Sequence, residues 1–175
     1  LNAFAASSAT SDYKFVRTWL PLVAVLLGSA AWAYFFYFQS DLPPFEDAAM
    51  LLRYSEHLSQ GHGIVWNIGE SPVDGATDFL FMVLVAGLAK FGISVTTAAR
   101  LLALLAHFLT VAFVYHLVIR RPSGTVLGAA LSALVVATGP GLNYCEALFG
   151  TTVFAFAGLV TFSFFLRMME DESRS

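Results

Sequence analysis

Long apolar runs alternate with shorter polar stretches along most of the chain. Four of these runs can cross about 30 Å of hydrocarbon, which takes about 20 helical residues. They cover approximately residues 19–38, 101–119, 125–143 and 147–166. A fifth run, Phe79–Ala89, has eleven residues before Lys90, a length typical of an interfacial or re-entrant helix. The pattern predicts an all-α integral membrane protein with four transmembrane helices.

Composition supports this fold class, because 58% of the residues are hydrophobic and only 12% are charged. Soluble globular domains have about 25% charged residues. The net charge of −3 gives no sign of a nucleic-acid partner, and a lone cysteine, Cys145, excludes an intrachain disulfide. Residues 1–14 are mostly small and polar, which predicts a disordered or processed arm. Residues 15–167 would then form the membrane domain, and residues 168–175 a cytoplasmic tail.

The distribution of basic residues predicts the topology, because Lys and Arg collect on cytoplasmic flanks of membrane spans. With four spans, one side receives Lys14, Arg17, Arg120, Arg121, Arg167 and Arg174, and the other receives Arg53, Lys90 and Arg100. We therefore expect both termini in the cytoplasm and residues 39–100 outside, in a membrane such as the bacterial inner membrane. A tight outer turn through Asn143–Glu146 would join the last two spans.

The outer segment, residues 39–100, predicts two juxtamembrane helices. The first would begin near Pro44, where a missing N–H does no harm, and would end at Gln60 before Gly61. Ionisable and apolar residues fall on different sides of this helix, which predicts an amphipathic helix on the membrane surface. The ionisable side carries Glu46, Arg53 and His57, and the apolar side carries Ala48, Leu51, Leu52 and Leu58. The second helix would be Phe79–Ala89.

A series of short motifs follows in order from Phe45 to Phe81, in the sequence FEDAAMLLRYSEHLSQGHGIVWNIGESPVDGATDFLF. They are Glu46-Asp47, Arg53-Tyr54, Gly61-His62-Gly63, Asn67-Ile68-Gly69-Glu70 and Val73-Asp74-Gly75. This series resembles the first extracytoplasmic loop of GT-C glycosyltransferases, above all the arabinofuranosyltransferase-like enzymes that use polyprenyl-phosphate sugars. The resemblance covers about residues 15–165 and implies the N-terminal module of a GT-C fold.

The resemblance implies transfer of a sugar from a polyprenyl-phosphate donor to an extracytoplasmic acceptor. Asp47 is the first candidate for the catalytic base and Glu46 the second, since a carboxylate must accept the proton of the attacking hydroxyl. The candidate substrate-binding residues are Arg53, Tyr54, His57, His62, Trp66 and Arg100. The two arginines would stabilise the leaving phosphate, and the tryptophan would stack on the sugar. The histidines would supply a proton or bind a divalent cation with the acids, although their spacing matches no metal motif.

Three interpretations stay open. GT-C enzymes are usually longer, and Gly150-Thr151-Thr152 lacks the acid that they often carry before their fourth span. The chain is therefore either a module of a longer enzyme, or a shortened non-catalytic subunit that packs against other membrane proteins. A proton-linked transporter that uses His107 and Glu146 is the third interpretation. Acids at a helix N-terminus also have a structural role, because they complement the helix dipole.

Overall fold

The computed structural model describes the backbone of residues 2–36, 45–73 and 77–172, and the side chains of residues 15–35, 45–73, 77–170 and 172. Within these ranges the ordered elements are all helices, and no strand is formed. The helices are α1 (Asn2–Phe36), α2 (Glu46–Ser59), α3 (Phe79–Ala89), α4 (Val95–Ile119), α5 (Val126–Ala137), α6 (Gly141–Glu146) and α7 (Thr151–Glu172). The prediction of an all-α protein is confirmed.

Four helical segments of the described chain are long and apolar enough to cross a membrane. They are Phe15–Phe35, Val95–Ile119, Val126–Glu146 and Thr151–Glu170, and α3 is a shorter apolar helix. This agrees with the predicted four spans and identifies an integral membrane protein. Several predicted features lie outside the described residues: the helix start at Pro44, positions 37 and 38 of the first span, Asp74 and Gly75 of the last loop motif, and residues 173–175 of the tail.

Two segments differ from their prediction. Residues 2–14, predicted as a disordered or processed arm, belong to the helical backbone of α1. The predicted turn at Asn143–Glu146 is wrong, because all of it lies inside α6. The helix breaks earlier, at residues 138–140, where Pro140 lacks a backbone donor. The turn into α7 follows at residues 147–150, where Leu148 adopts a φ of 59°.

The described chain divides into two compact units. The first, here the α1–α5 unit, contains Leu1–Ser40 and Val111–Gly139. The second, here the α2–α3 unit, contains Asp41–Thr110 and Pro140–Ser175. Helix α4 contributes residues 95–110 to the α2–α3 unit and residues 111–119 to the α1–α5 unit. Each unit has its own buried core.

Small side chains bring the helices of the α1–α5 unit close together. Ala129, Ala133 and Ala137 recur every fourth residue on α5 and are fully buried. Close backbone approach between small residues is the usual way in which helices pack in lipid. The hydroxyl of Ser29 on α1 donates to the carbonyl of Ala137 at 3.2 Å, which adds a direct link between the two helices. The enrichment of α5 in small residues therefore serves packing.

The core of the α2–α3 unit forms where α2 lies against α3. Ala48 and Leu52 of α2 pack with Phe81 and Val85 of α3 in one buried cluster. The hydroxyl of Ser55, which is 1% exposed, lies 3.1 Å from the carbonyl of Met82 on α3. The apolar side of α2 is thus covered by protein rather than left to face a membrane surface. This corrects the prediction for α2, because an apolar stripe does not reveal whether lipid or another helix will cover it.

Candidate functional site

The acid pair occupies the first turn of α2. Glu46 and Asp47 are both exposed, and Phe45, which precedes them, provides no side-chain cap. Carboxylates in this position are favoured by the partial positive charge of the helix N-terminus. Among the described side chains, neither carboxylate takes part in an ion pair. Both side chains are therefore accessible to a ligand or to water.

The core beneath the acid pair fixes its position. Ala48 directly follows the acids and is fully buried against α3, while Leu51 and Leu52, one turn later, are 2% and 6% exposed. A helix that is anchored one residue beyond its acids presents them from a rigid base. The geometry suits a group that must hold a fixed position above a reacting atom.

Arg53 does not point a free guanidinium at a ligand, because it binds the loop that follows α2. Its Nε donates to the carbonyl of Trp66 at 2.8 Å, and its Nη2 donates to Oδ1 of Asn67 at 3.0 Å. The guanidinium carbon also lies 4.5 Å from the centroid of the Trp66 ring, within cation–π range. One side chain thus holds two consecutive loop residues, which gives Asn67 a partner that its motif alone did not identify.

Tyr54 and Trp66 continue this packing. Tyr54 is 4% exposed and belongs to a buried cluster with Leu51 and Met82. Its ring meets Trp66 edge-on, with the two ring centroids 6.0 Å apart. Tyr54 therefore lies in the core, while Trp66 remains 40% exposed.

The C-terminus of α2 explains the Gly61-His62-Gly63 motif. Gly61 adopts a φ of 87°, its N–H bonds to the carbonyl of Leu58, and the N–H of His62 bonds to the carbonyl of His57. These two bonds form a Schellman motif, in which glycine ends a helix in the left-handed conformation. The sequence predicted this stop correctly.

The same turn brings the two predicted histidines together. Their ring centroids lie 6.4 Å apart with the planes perpendicular, and Nδ1 of His57 lies 2.8 Å from the carbonyl of Val65. Because a carbonyl only accepts, Nδ1 of His57 carries the proton. His62 is exposed beside it. Within the described residues no group of three or more His, Cys, Asp or Glu side chains is arranged to hold a metal ion.

Arg100 lies on α4 and pairs with Glu146 of α6, with 3.7 Å between Nη2 and Oε1. Both side chains are largely buried, at 20% and 16% exposure. The ring of His107, two turns further along α4, packs against Gly141 at the other end of α6. The structure therefore uses the candidate phosphate ligand Arg100, and both residues of the transporter interpretation, in the contact between α4 and α6.

Asp78 is a residue that the sequence gave no reason to select. Its Oδ2 accepts the backbone N–H of Gly150 at 3.0 Å, although 72 residues separate the two positions. Gly150 is the N-cap of α7, because its carbonyl accepts the first helical bond, from the N–H of Phe154 at 2.9 Å. Asp78 thus attaches the start of α7 to the start of α3, in a contact that no local motif encodes.

Many of the motif residues therefore shape the loop at residues 60–73, while the side chains of the acid pair stay exposed. No family model matches the chain, and no curated protein or solved structure shows significant similarity to it.

Replacement of Arg53 by Lys tests the role of this side chain in the loop. Lysine keeps the charge, but its single ammonium cannot reproduce the planar fork that reaches two loop residues at once. Loss of a hydrogen bond from a charged group costs about 1.5–3 kcal/mol in general. A loss of about 1.4 kcal/mol raises the equilibrium constant for local opening of the loop tenfold. Because the protease cleaves the opened loop, we expect chymotrypsin to cleave after Trp66 roughly tenfold faster in Arg53→Lys than in wild type, which corresponds to about 1.4 kcal/mol.

Arg167→Lys, a change of the same type at an exposed position on α7, is the control and is expected to leave the cleavage rate unaltered. Equal cleavage rates in wild type and Arg53→Lys would show that the guanidinium does not hold the loop.

Proposed function

We propose that this chain is a membrane-embedded glycosyl-transfer module that moves a sugar from a polyprenyl phosphate to an acceptor hydroxyl outside the cytoplasm. The observation that carries the proposal is the exposed acid pair, Glu46 and Asp47, on a helix anchored in the same unit as membrane-length α7. Such a location would place carboxylates within reach of a substrate whose lipid tail stays in the bilayer. The ordered loop motifs from Phe45 to Phe81 support the same reaction class.

In this reaction Asp47 acts as the general base. Its carboxylate takes the proton from the acceptor hydroxyl while the hydroxyl oxygen forms a bond to the anomeric carbon. The bond between that carbon and the phosphate oxygen breaks, and the electron pair leaves with the polyprenyl phosphate. Glu46, one residue earlier, keeps the site anionic and is the second candidate for the base. General base assistance typically contributes about 10²–10⁴ in rate.

The leaving phosphate requires cationic stabilisation, and the two candidate arginines offer it in different ways. A guanidinium has five N–H donors, and Arg53 uses two of its nitrogens for Trp66 and Asn67, so its other N–H groups can still bind phosphate. Arg100 lies 3.7 Å from Glu146, which is longer than the 2.7–2.9 Å of a strong charge-assisted hydrogen bond. A phosphate with shorter contacts could therefore compete with this carboxylate for Arg100.

A transfer assay tests the proposal. The intact protein is reconstituted in vesicles with a radiolabelled polyprenyl-phosphate sugar, starting with the arabinofuranosyl form, and with a short oligosaccharide acceptor. We expect labelled acceptor to accumulate together with free polyprenyl phosphate. A panel of such donors that gives no product above that of protein-free vesicles would contradict the proposal.

A second candidate function is a non-catalytic subunit of a larger membrane complex. The observation that favours it is that three of the predicted ligands already have partners within the protein: Arg53 and His57 bind loop carbonyls, and Tyr54 is buried in the core. Isolation of the intact complex from its native membrane distinguishes the two functions. A subunit would copurify with other membrane proteins at fixed stoichiometry, and transfer by the complex would survive Asp47→Asn.

A further inference from the structure

The α1–α5 unit contains a groove that neither candidate function uses. It is a partly open cavity of about 290 Å³ between α1 and α5. Its walls include Ala24, Val25, Gly28 and Trp32 of α1, together with Leu134 and Ala137 of α5. These side chains are apolar except for the indole N–H, so the groove favours a hydrocarbon occupant.

The groove exists because the small residues of α1 leave space that α5 does not fill. A Cβ atom built on Gly28 would meet no other heavy atom within 4 Å. The helices are nevertheless held together beside this space by the hydrogen bond from Ser29 to the carbonyl of Ala137 at 3.2 Å. The space is therefore part of a fixed helix contact.

The hydroxyl groups at the groove have partners within the protein. Ser29 donates to Ala137, and Thr138 donates to the carbonyl of Leu134 at 2.8 Å. Water needs two to four polar partners to occupy a small cavity, and apolar cavities stay dry. These walls supply few such partners, so water is a poor occupant of the groove.

The groove lies on segments that are long enough to span the membrane, so its position indicates which molecules surround it. Both walls belong to membrane-length segments, Phe15–Phe35 and Val126–Glu146. The same two helices also carry exposed apolar side chains, Leu27, Leu131 and Val135. An apolar surface on a membrane span faces the hydrocarbon of the bilayer. Lipid chains are therefore the molecules that meet this opening.

We propose that the groove binds one acyl chain of a bilayer phospholipid. A methylene group occupies about the volume of a water molecule, roughly 30 Å³, so the cavity holds about ten methylenes. Trp32 lies three residues before the end of its span, where tryptophan marks the headgroup level. The ester end of the chain lies at Trp32 and the tail extends toward Ala24, eight residues or roughly 12 Å deeper along α1.

Van der Waals contact rather than the release of water drives this binding, since the acyl chain is already in the apolar interior of the bilayer. An acyl chain seated in the groove gains van der Waals contacts that a fluctuating bilayer chain does not keep. The inference rests on the α1–α5 unit alone and stands independently of any sugar transfer.

Photo-crosslinking with a defined lipid tests the proposal. The full chain is reconstituted in vesicles of phosphatidylethanolamine that include a diazirine on one acyl chain, and labelled residues are mapped by mass spectrometry. We expect label at residues 24–32 and 134–138 in excess over the lipid-facing residues of α7. Uniform labelling of all exposed apolar positions would overturn the proposal.

Gly28→Leu adds a side chain at the wall of the groove, where an added Cβ meets no heavy atom within 4 Å. It is expected to reduce groove labelling at least about fivefold, since a close-packed site has no room for both the leucine side chain and the acyl chain. Gly158→Leu, at a glycine of α7 that also has nothing within 4 Å, is the control and should leave groove labelling unchanged. Ala24→Leu replaces Gly28→Leu if that variant fails to fold, as judged by circular dichroism. Unchanged labelling in the folded variant would contradict the proposal.

Two further outcomes would overturn the assignment of the occupant. Displacement of the phospholipid label by substoichiometric polyprenyl phosphate would assign the groove to an isoprenoid chain. Disulfide formation between two copies of Leu131→Cys, in a chain whose Cys145 is replaced by Ser, combined with absence of groove labelling, would assign it to a second copy of the protein.

Discussion

Asp47→Asn is expected to lower the rate of sugar transfer by about 10²–10⁴, the usual contribution of a general base. Asparagine has nearly the same shape as aspartate and remains a good residue at a helix N-terminus, so the fold should be retained. The amide nitrogen cannot accept the proton of the attacking hydroxyl. Glu46→Gln should have a smaller effect, because Glu46 is the second candidate for the base. Initial rates under saturating donor give the comparison.

Glu56→Gln is the matched control for this prediction. Glu56 is exposed on the same helix, lies outside the acid pair and is expected to be dispensable for transfer. If Asp47 only complemented the helix dipole, its replacement would cost about 0.3–1 kcal/mol of stability and leave the rate intact. Transfer by Asp47→Asn at the wild-type rate would therefore show that Asp47 is not the general base. A vesicle assay of the wild-type protein without any product would contradict the proposed reaction itself.

Gly150→Ala is expected to destabilise the α2–α3 unit by about 1–3 kcal/mol, the usual cost of overpacking a filled core. A Cβ at Gly150 would lie 2.8 Å from Cβ of Phe81 and 3.1 Å from Oδ2 of Asp78. Phe81 is 3% exposed, so its ring has no open space into which to move. The clash would also strain the hydrogen bond that joins the N-terminus of α7 to Asp78. Thermal unfolding in detergent measures the loss.

Gly158→Ala provides the same chemical change in the interior of α7, where a Cβ meets nothing within 4 Å. Alanine stabilises a helix interior by roughly 0.5–1 kcal/mol relative to glycine. The two variants should therefore shift the unfolding temperature in opposite directions. A Gly150→Ala protein as stable as wild type would show that α7 does not begin against Phe81 and Asp78.

The helices were predictable from the sequence because their signals are local. Four long apolar runs gave four membrane-length helices, and the eleven residues of Phe79–Ala89 gave the short helix α3 with the same limits. Gly61 predicted the end of α2, because a left-handed residue is needed there and glycine adopts that conformation at least cost. Hydrophobic length and glycine conformation do not depend on the rest of the fold.

The partners of individual side chains were not predictable in the same way. Arg53 and His57 were expected to meet a ligand, but they bind the carbonyls of Trp66 and Val65. The contact of Asp78 with Gly150 joins positions 72 residues apart, which no periodicity encodes. A charged side chain in a motif has the same sequence signal whether it binds a substrate or a nearby loop.

The exposure of the acid pair was only partly predictable. Glu46 lies on the polar side of α2, but Asp47 is four residues before the buried Leu51 and therefore shares a side of the helix with it. Asp47 is exposed in the first turn of α2 although Leu51, one turn later, is covered by protein. The role of the acid pair in transfer stays a prediction, since it depends on a substrate and on the side of the membrane that α2 occupies.

Accessibility of α2 from the two sides of the membrane tests the central claim most directly. Ala49→Cys, an exposed position next to the acids, is introduced into a chain whose buried Cys145 is replaced by Ser. A membrane-impermeant maleimide is then applied to right-side-out spheroplasts and to inside-out vesicles. Labelling in the spheroplasts alone is the result we predict, with the acid pair outside the cytoplasm. Labelling in the inside-out vesicles alone would place the pair on the cytoplasmic side and contradict the proposed transfer.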